Sequence, residues 1–503
     1  MLGLAFLPVP LGFLAWAAFL PLLIALDRAV REGARARSLF ALGYAFGIAF
    51  FLIGVHWIAL LSDVAITVPW LKYPAWVLAA AYLALFPGLA ILLAGWLARR
   101  ARVSLALTFP AALLAVEELR ASGEMGFPWF QPGYTQHAYV PLIQMASLGS
   151  VSLVTLWLLF LNVLVWRTLT GGARLRAGVG AGLLLLLPWM WGLRVLDAAP
   201  KPQGPPPTVA LVQGNIPGEM KWSGRHQREI LERFLDLSRR AFADERGPSI
   251  VIWPETATGS YLRRSADQLA AVADFARSHG VVVFSGMPDW RFGDDDSLEY
   301  VNGATLIGPA GVQGGIYAKR HLVPFGERMP FQAVLPVLGS IRLGQAEWTA
   351  GEGPVLFPSA AGPFSCLVCF ESIFPDLARD DVRRGARWLV NITNDEWFGN
   401  SAALYQHAAM APFRAVENHV PLARCANTGL TLIADAHGRV THRLPVWTPA
   451  VLTAPLAAPG LPTLYTRRGD WPGMLAGLAV AALALEAARR ARRDALTRRR
   501  PAA

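Results

Sequence analysis

Ser249-Ile-Val-Ile-Trp-Pro-Glu255 is a short β-branched run that a proline brings to a stop, and it ends on a carboxylate. Proline lacks the N–H that a strand interior needs, so the strand closes at Trp253 and Glu255 lies just past its end. In α/β folds, sites are built at such strand ends. Working outward, Thr208-Val-Ala-Leu-Val-Gln213, Val281-Val-Val-Phe-Ser285 and Trp388-Leu-Val-Asn-Ile392 are runs of the same kind. Helical patterns at 225–243 and 265–279 separate them, and Gly280 stops the second. Residues 207–455 therefore read as one α/β domain of ordinary size.

The flanking sequence is of another kind. With 54% hydrophobic residues in 503 and a positive mean hydropathy, the chain is not a single soluble domain. Apolar runs of spanning length cover roughly 11–27, 39–61, 75–98, 103–120, 141–166, 177–195 and 471–488, and the run at 103–120 is weakened by Pro110, Glu117 and Glu118. Ahead of Pro8 and Pro10 stands only Leu2-Gly-Leu-Ala-Phe-Leu7, too short to cross a bilayer. It has no charged n-region or cleavage site, so a removable signal peptide is not expected. A Pro-rich linker, 199–207, opens the α/β domain. The expected division is a helical bundle at 1–196, the domain at 207–455, a last span at 471–488 and an arginine-rich tail at 489–503.

The formal charge of +11 raises the question of nucleic acid. Four arginine clusters, around Arg28–Arg37, Arg99–Arg102, Arg167–Arg176 and Arg489–Arg500, account for all of that excess. Each follows an apolar run, so the charge is a topology signal and nucleic acid binding is not expected. The alternate short loops are bare: Lys72 alone in 62–74, and no Lys or Arg in 121–140. By the positive-inside rule the arginine loops and the tail are cytoplasmic, which puts the α/β domain on the outer side.

Three residue types in the domain carry chemistry. Cys369 ends the run Phe364–Val368 and precedes a predicted helix through Ile373 to Arg384. A thiol at a strand-to-helix turn has an exposed side chain, and the N–H groups that follow lower its pKa. A buried structural cysteine fits the position equally well. Cys366, inside the strand, fits that second role better. With Cys425 the only other cysteine, there are too few for a disulfide framework or a zinc site, and no metal or cofactor is expected. Glu255 beside Trp253 and Pro254 would be partly desolvated and tuned toward a general base, unless it is a solvated loop acid. Lys319 is one of four lysines (with Lys72, Lys201 and Lys221) in a chain whose other fixed cations are arginines. Such rarity points to a compact ammonium aimed at a developing oxyanion. His321, His407 and His419 leave a Cys–His dyad open. His321, before Leu-Val-Pro-Phe, reads as a satisfied histidine in a packed turn.

Taken together, Trp253-Pro-Glu255, Lys319-Arg-His-Leu-Val-Pro-Phe-Gly-Glu327 and Cys369-Phe-Glu371 resemble the Glu–Lys–Cys triad of the nitrilase (carbon–nitrogen hydrolase) superfamily. Membrane sequence on both sides narrows the resemblance to the apolipoprotein N-acyltransferases. Val212-Gln-Gly-Asn-Ile-Pro217 with Lys221-Trp222, Asn391-Ile-Thr-Asn-Asp-Glu-Trp-Phe-Gly399, Gly126-Phe-Pro-Trp-Phe-Gln131 with Gly133-Tyr134, and Arg467-Arg-Gly-Asp-Trp-Pro472 agree with it. The resemblance implies a nitrilase-like four-layer α-β-β-α sandwich inserted in a polytopic α-helical transmembrane bundle. It assigns Glu255 as general base, Lys319 as oxyanion cation and Cys369 as nucleophile. Glu327 and Glu371 become supporting acids, and Trp222, Phe370 and Trp397 substrate-side residues. The family usually carries tyrosine where this chain has Phe370, and eight spans where the first here is shortened to residues 2–7. The implied partners are a phospholipid acyl donor and a diacylglyceryl lipoprotein acceptor, with loops such as 121–140 as walls or lids and a monomeric enzyme in the inner membrane. Two rivals remain at this level: a membrane-tethered nitrilase-type amidase, and a scaffold or transporter with a nitrilase-like domain.

Overall fold

The computed structural model describes the whole chain except residues 63–67, 199–204, 244–246, 294–295, 333, 341–346 and 499–503. Most of the Pro-rich linker and the last arginines of the tail thus lie outside the described residues. The chain divides into two compact units: Met1–Ala59, Tyr73–Asp197 and Arg468–Ala503 form the first, Leu60–Lys72 and Ala198–Arg467 the second.

The first unit is helical. Among the described residues, six helical segments are long and apolar enough to cross a membrane: Gly12–Arg31, Ala36–Leu60, Pro69–Arg100, Ala146–Thr170, Arg174–Asp197 and Trp471–Asp494. The run at 103–120 forms the shorter helix Leu105–Ala121, and residues 2–7 hold only the 3₁₀ turn Gly3–Phe6. Small residues set the helix crossings. A Cβ on Gly43 would lie 2.3 Å from the Pro87 carbonyl, and one on Gly47 2.9 Å from Ala84 Cα. Buried charge is paired: Arg120 donates to Glu117 and to the Phe127 carbonyl. Ser152 Oγ lies 2.8 Å from Glu118 and 2.7 Å from Asp470, which joins three segments of this unit. The stretch 121–140, expected as a wall or lid, is interior to this unit through Trp129, Phe130, Tyr134 and Gln136.

The second unit is built on two sheets. Strands β1 (Thr208–Gln213), β2 (Ile250–Ile252), β3 (Val282–Phe292), β4 (Leu298–Gly308), β5 (Gly311–Ala318) and β11 (Ala450–Pro455) form one sheet in the order β11-β1-β2-β3-β4-β5. Strands β6 (Phe364–Val368), β7 (Trp388–Thr393), β8 (Leu422–Ala426), β9 (Leu432–Ala434) and β10 (Val440–Arg443) form the other, in the order β10-β9-β8-β7-β6. β1-β2-β3 and β6-β7-β8 are parallel. Period-two alternation explains the layering. Val209 and Leu211 of β1 face a core shared with Cys366, Val368, Val390 and Cys425 of the second sheet. Ala210 and Val212 face the helices Gln227–Arg240 and Ala266–His279 through Ile230, Phe234 and Val272. On the far side Leu367 and Leu389 meet Ala378, Ala408 and Ala415 of the helices Pro375–Arg383 and Ala403–Asn418. The result is the expected α-β-β-α sandwich. Cys366 is wholly buried between the sheets, as is Cys425, whose Sγ sits 3.3 Å from the Ile252 carbonyl.

The helix expected through Ile373 to Arg384 is instead the end of a 3₁₀ turn, Cys369–Ile373, then a break at Phe374 and the helix Pro375–Arg383. Pro375 sets the break, because the residue before a proline is pushed out of the helical region. Phe374 accordingly adopts φ −96°, ψ 110°.

β3 passes directly under the end of β2. A Cβ on Gly286 would lie 2.6 Å from the Pro254 carbonyl and 2.7 Å from Glu255 Cα. Both are backbone atoms that cannot rotate away. Gly286→Ala is expected to lower stability by about 1–3 kcal/mol, as overpacking does, and thermal unfolding measures it. An unchanged midpoint would show that β2 and β3 can part freely.

Candidate active site

Glu255 follows β2, Lys319 follows β5 and Cys369 follows β6, so three strand ends converge. Lys319 is fully buried. Its Nζ donates to Glu327 Oε1 at 2.8 Å and lies 3.7 Å from Glu255 Oε1. Asn302, on β4, donates from one amide to both carboxylates, at 2.8 Å to Glu255 and 3.3 Å to Glu327. The backbone N–H of Asn394 donates to the second Glu255 oxygen at 2.8 Å. Glu327 is fixed in turn by the Val323 N–H at 2.8 Å. Burial raises the Glu255 pKa, and Glu327 adds to that while Lys319, Asn302 and Asn394 oppose it. For Lys319, burial alone would lower the pKa, but Glu327 and Glu255 outweigh it and hold the ammonium charged.

Cys369 opens the turn after β6 with φ +51°, a left-handed conformation that a side-chain-bearing residue holds only when its surroundings impose it. Its carbonyl is gripped by Ser372 Oγ at 3.0 Å and His407 Nε2 at 3.1 Å. Of the exposed, acidified thiol and the buried one that position left equally open, the side chain is the buried one. Cys369 is 9% exposed, and burial first, then Glu255, push the thiol up while Lys319 pulls it down. Burial thus pushes both groups toward their protonated forms, with Lys319 opposing each.

Glu371 lies wholly buried in the turn after β6. Its oxygens accept from the N–H groups of Arg320 (2.6 Å), His321 (3.1 Å) and Val368 (2.6 Å) and from the Tyr317 hydroxyl (2.7 Å). It clamps the segment carrying Lys319 to the strand carrying Cys369. Phe370 packs edge-on to Phe374 and beside His321. Trp222, at the end of the helix Gly218–Trp222, is 42% exposed, and Trp397 is half-buried.

The histidines resolve differently. His321 is not satisfied: its Nε2 is buried with no hydrogen-bond partner among the described residues, and its ring stacks 3.9 Å from that of Phe374. Burial, then Lys319, lower its pKa to about 4. His407, one of the three histidines that left a dyad open, meets the Cys369 carbonyl through Nε2 and sits in a buried set with Asp395 and Arg424. Its Nδ1 is 3.0 Å from Asp395 Oδ1, and Arg424 is 2.7 Å from Asp395 Oδ2 and 3.0 Å from the same ring nitrogen. Burial would raise Asp395, yet Arg424 and His407 hold it well below the usual range. Donor atoms of Cys369, Asp395 and His407 lie within 4.8 Å of one another. The Arg424 guanidinium already meets two of them, and that fixed positive charge works against a cation there.

Glu371→Gln would turn an acceptor of four donors into a group that must present its own N–H to some of them. A loss of about 3 kcal/mol is expected, read as a lower unfolding temperature in detergent. A wild-type midpoint would remove Glu371 from its place as clamp.

Sequence comparison agrees with this geometry. The carbon–nitrogen hydrolase family matches residues 208–461, and the apolipoprotein N-acyltransferase N-terminal domain matches residues 1–164. The apolipoprotein N-acyltransferase of Geobacter metallireducens is 36% identical over 500 residues, covering 96% of this chain and 93% of its own. That of Methylococcus capsulatus is 34% identical over 496 residues, covering 94% and 92%. That of Chlorobaculum tepidum is 31% identical over 530 residues, covering 98% and 95%. With six apolar helices among its described residues the chain is an integral membrane protein, and it belongs to the apolipoprotein N-acyltransferase family.

Proposed function

We propose that the chain moves an acyl group from a membrane phospholipid, through a thioester on Cys369, to the N-terminal α-amine of a diacylglyceryl-cysteine lipoprotein. Acyl transfer to an apolipoprotein is the activity of its family. The observation that supports this route is the buried array in which Glu255 and Glu327 share Lys319 beside a turn-borne thiol. In the first half-reaction the Cys369 proton passes to Glu255 as sulfur attacks the ester carbonyl. The C–O bond breaks, and the lysophospholipid alkoxide takes the proton from Glu255. In the second, the α-amine attacks the thioester, the C–S bond breaks, and Glu255 takes the amine proton and returns one to the thiolate. The sum exchanges an ester for an amide, in two steps easier than one.

Lys319 and a backbone N–H of the turn after Cys369 hold each oxyanion. Glu327 anchors Lys319, and Trp222, Phe370 and Trp397 face the lipid chains. Both substrates are bilayer-held, which fits a catalytic domain at 207–455 on the outer face, spans before and after it, and an arginine tail inside.

Purified protein given phospholipid is expected to gain one acyl mass on the peptide bearing Cys369. Cys369→Ala should abolish that gain and Cys366→Ala keep it. A diacylated lipopeptide should then discharge the acyl group as amide, whereas an amidase-like enzyme would release free fatty acid. No adduct on the wild-type chain, or an adduct on Cys366, would sink the mechanism. Lys319→Met should lower the acylation rate by about 10²–10³-fold, the usual effect of losing an oxyanion donor.

A further inference from the structure

The polar groups beneath the nucleophile turn are rooted in the second sheet. Leu367 of β6, Asn391 of β7 and Arg424 of β8 are paired residue to residue across three strands. The helix Ala403–Asn418, which carries His407, covers that face. The Arg424 guanidinium donates to the side-chain oxygen of Asn391 and, at 2.7 Å, to Asp395. The Asn391 amide donates in turn to the Leu367 carbonyl at 2.9 Å and stands 3.5 Å from that of Cys369. Asp395 also accepts from Thr393 Oγ1 at 2.9 Å. His407 is wedged against this set. Its Nδ1 is 3.0 Å from both Asp395 and Arg424, and its Nε2 is 3.1 Å from both Ser372 Oγ and the Cys369 carbonyl. Asn391, Asp395, His407 and Arg424 are all wholly buried. A buried charged set is weak evidence for stability, because apolar side chains can fill such a space as well. It calls for a reason beyond packing.

We propose that His407 is a positioning residue of the nucleophile turn, acting through the Cys369 carbonyl to set the direction of the peptide unit that follows the thiol. The inference rests on the roles assigned above to Cys369 and to the backbone N–H of its turn. A peptide unit is planar and trans, so its C=O and N–H point opposite ways. Holding the Cys369 oxygen therefore fixes where the Phe370 N–H points, and with it where an oxyanion can be met. The carbonyl is an acceptor only, so this contact uses the ring proton on Nε2. Cys369 stands at φ +51°, a conformation that a residue with a side chain does not keep unaided. Ser372 Oγ also donates to its carbonyl, at 3.0 Å, but belongs to the same turn and moves with it. His407 comes from a separate helix, and Arg424, in the interior of the sheet, fixes both Asp395 and the ring. The arrangement also separates His407 from the base of a Cys–His dyad. Both ring nitrogens already have partners, so the ring serves the main chain and not the sulfur.

The test compares two reactions of Cys369 in the full-length protein in detergent, both read by mass spectrometry. Acylation, by p-nitrophenyl butyrate and in parallel by phospholipid, passes through an oxyanion, whereas alkylation by iodoacetamide does not. His407→Leu is expected to slow acylation by about 10²-fold, the scale on which small misplacements act. Alkylation, which needs only an accessible thiol, should stay within about threefold of wild type. Glutamine can place an amide N–H where Nε2 stands, and asparagine only where Nδ1 stands. His407→Gln should therefore be acylated about tenfold faster than His407→Asn, a comparison that holds whether or not His407→Leu folds. A folded His407→Leu protein acylated at the wild-type rate would overturn the proposal. Equal rates for His407→Gln and His407→Asn would do the same. So would alkylation that falls in step with acylation, the behaviour of a dyad base. Acylation of the wild-type chain by the ester and never by phospholipid would end the acyl-transfer reading, with the place of His407 still decided by the ester. No acylation of Cys369 by either donor would overturn both.

Discussion

Lys319 has no route to solvent, so its charge must be met by the groups around it, and that requirement orders the rest of the site. Two carboxylates meet it, and each needs further donors to tolerate burial itself. Asn302 serves both, the Asn394 N–H serves Glu255, and the Val323 N–H serves Glu327. Those donors come from β4, from the end of β7 and from the segment after β5, so the ion array is also what registers these pieces against one another. Glu371 repeats the device a few residues away with no lysine at all, joining the Lys319 segment to β6 through four donors. Reactive geometry and sandwich assembly are therefore one problem in this domain, solved with the same buried acids.

The parts of this arrangement legible in the sequence are those that follow a local rule. β1, β2 and β7 are β-branched runs with clear ends, and they fall where expected. β3 extends well past Ser285 because Gly286, Pro288 and Asp289, which read as breakers, are accommodated in its antiparallel pairing with β4. β4 and β5 carry Asn302, Gly303, Gly314 and Gly315, and their polar, glycine-rich character hides them. In the site, Glu255 and Cys369 are visible because strand ends announce them, and Lys319 because lysine is rare. The same rarity marks Lys221, but no strand end draws attention to it. Asn302 is silent in the sequence because a polar residue inside a strand looks like any outward-facing one. Asp395, His407 and Arg424 meet only through β7, β8 and the helix between them, a convergence that no spacing rule encodes.

The thiol's surroundings also explain why position alone left its character open. A strand-to-helix turn commonly exposes and acidifies a cysteine, yet here burial dominates and the thiol is raised. A thiol held in this protonated state is less exposed to adventitious oxidation and alkylation than a standing thiolate.

The sulfurs of Cys366 and Cys425 lie wholly between the two sheets, whereas Cys369 lies at the rim of the same sandwich. One chain thus holds a rim sulfur and two internal timekeepers. Modification of the inner pair requires the sheets to separate, so their labelling rate counts openings of the sandwich core, while that of Cys369 reports on its edge. The molecule carries, within its own cysteines, a means of telling the core from the rim.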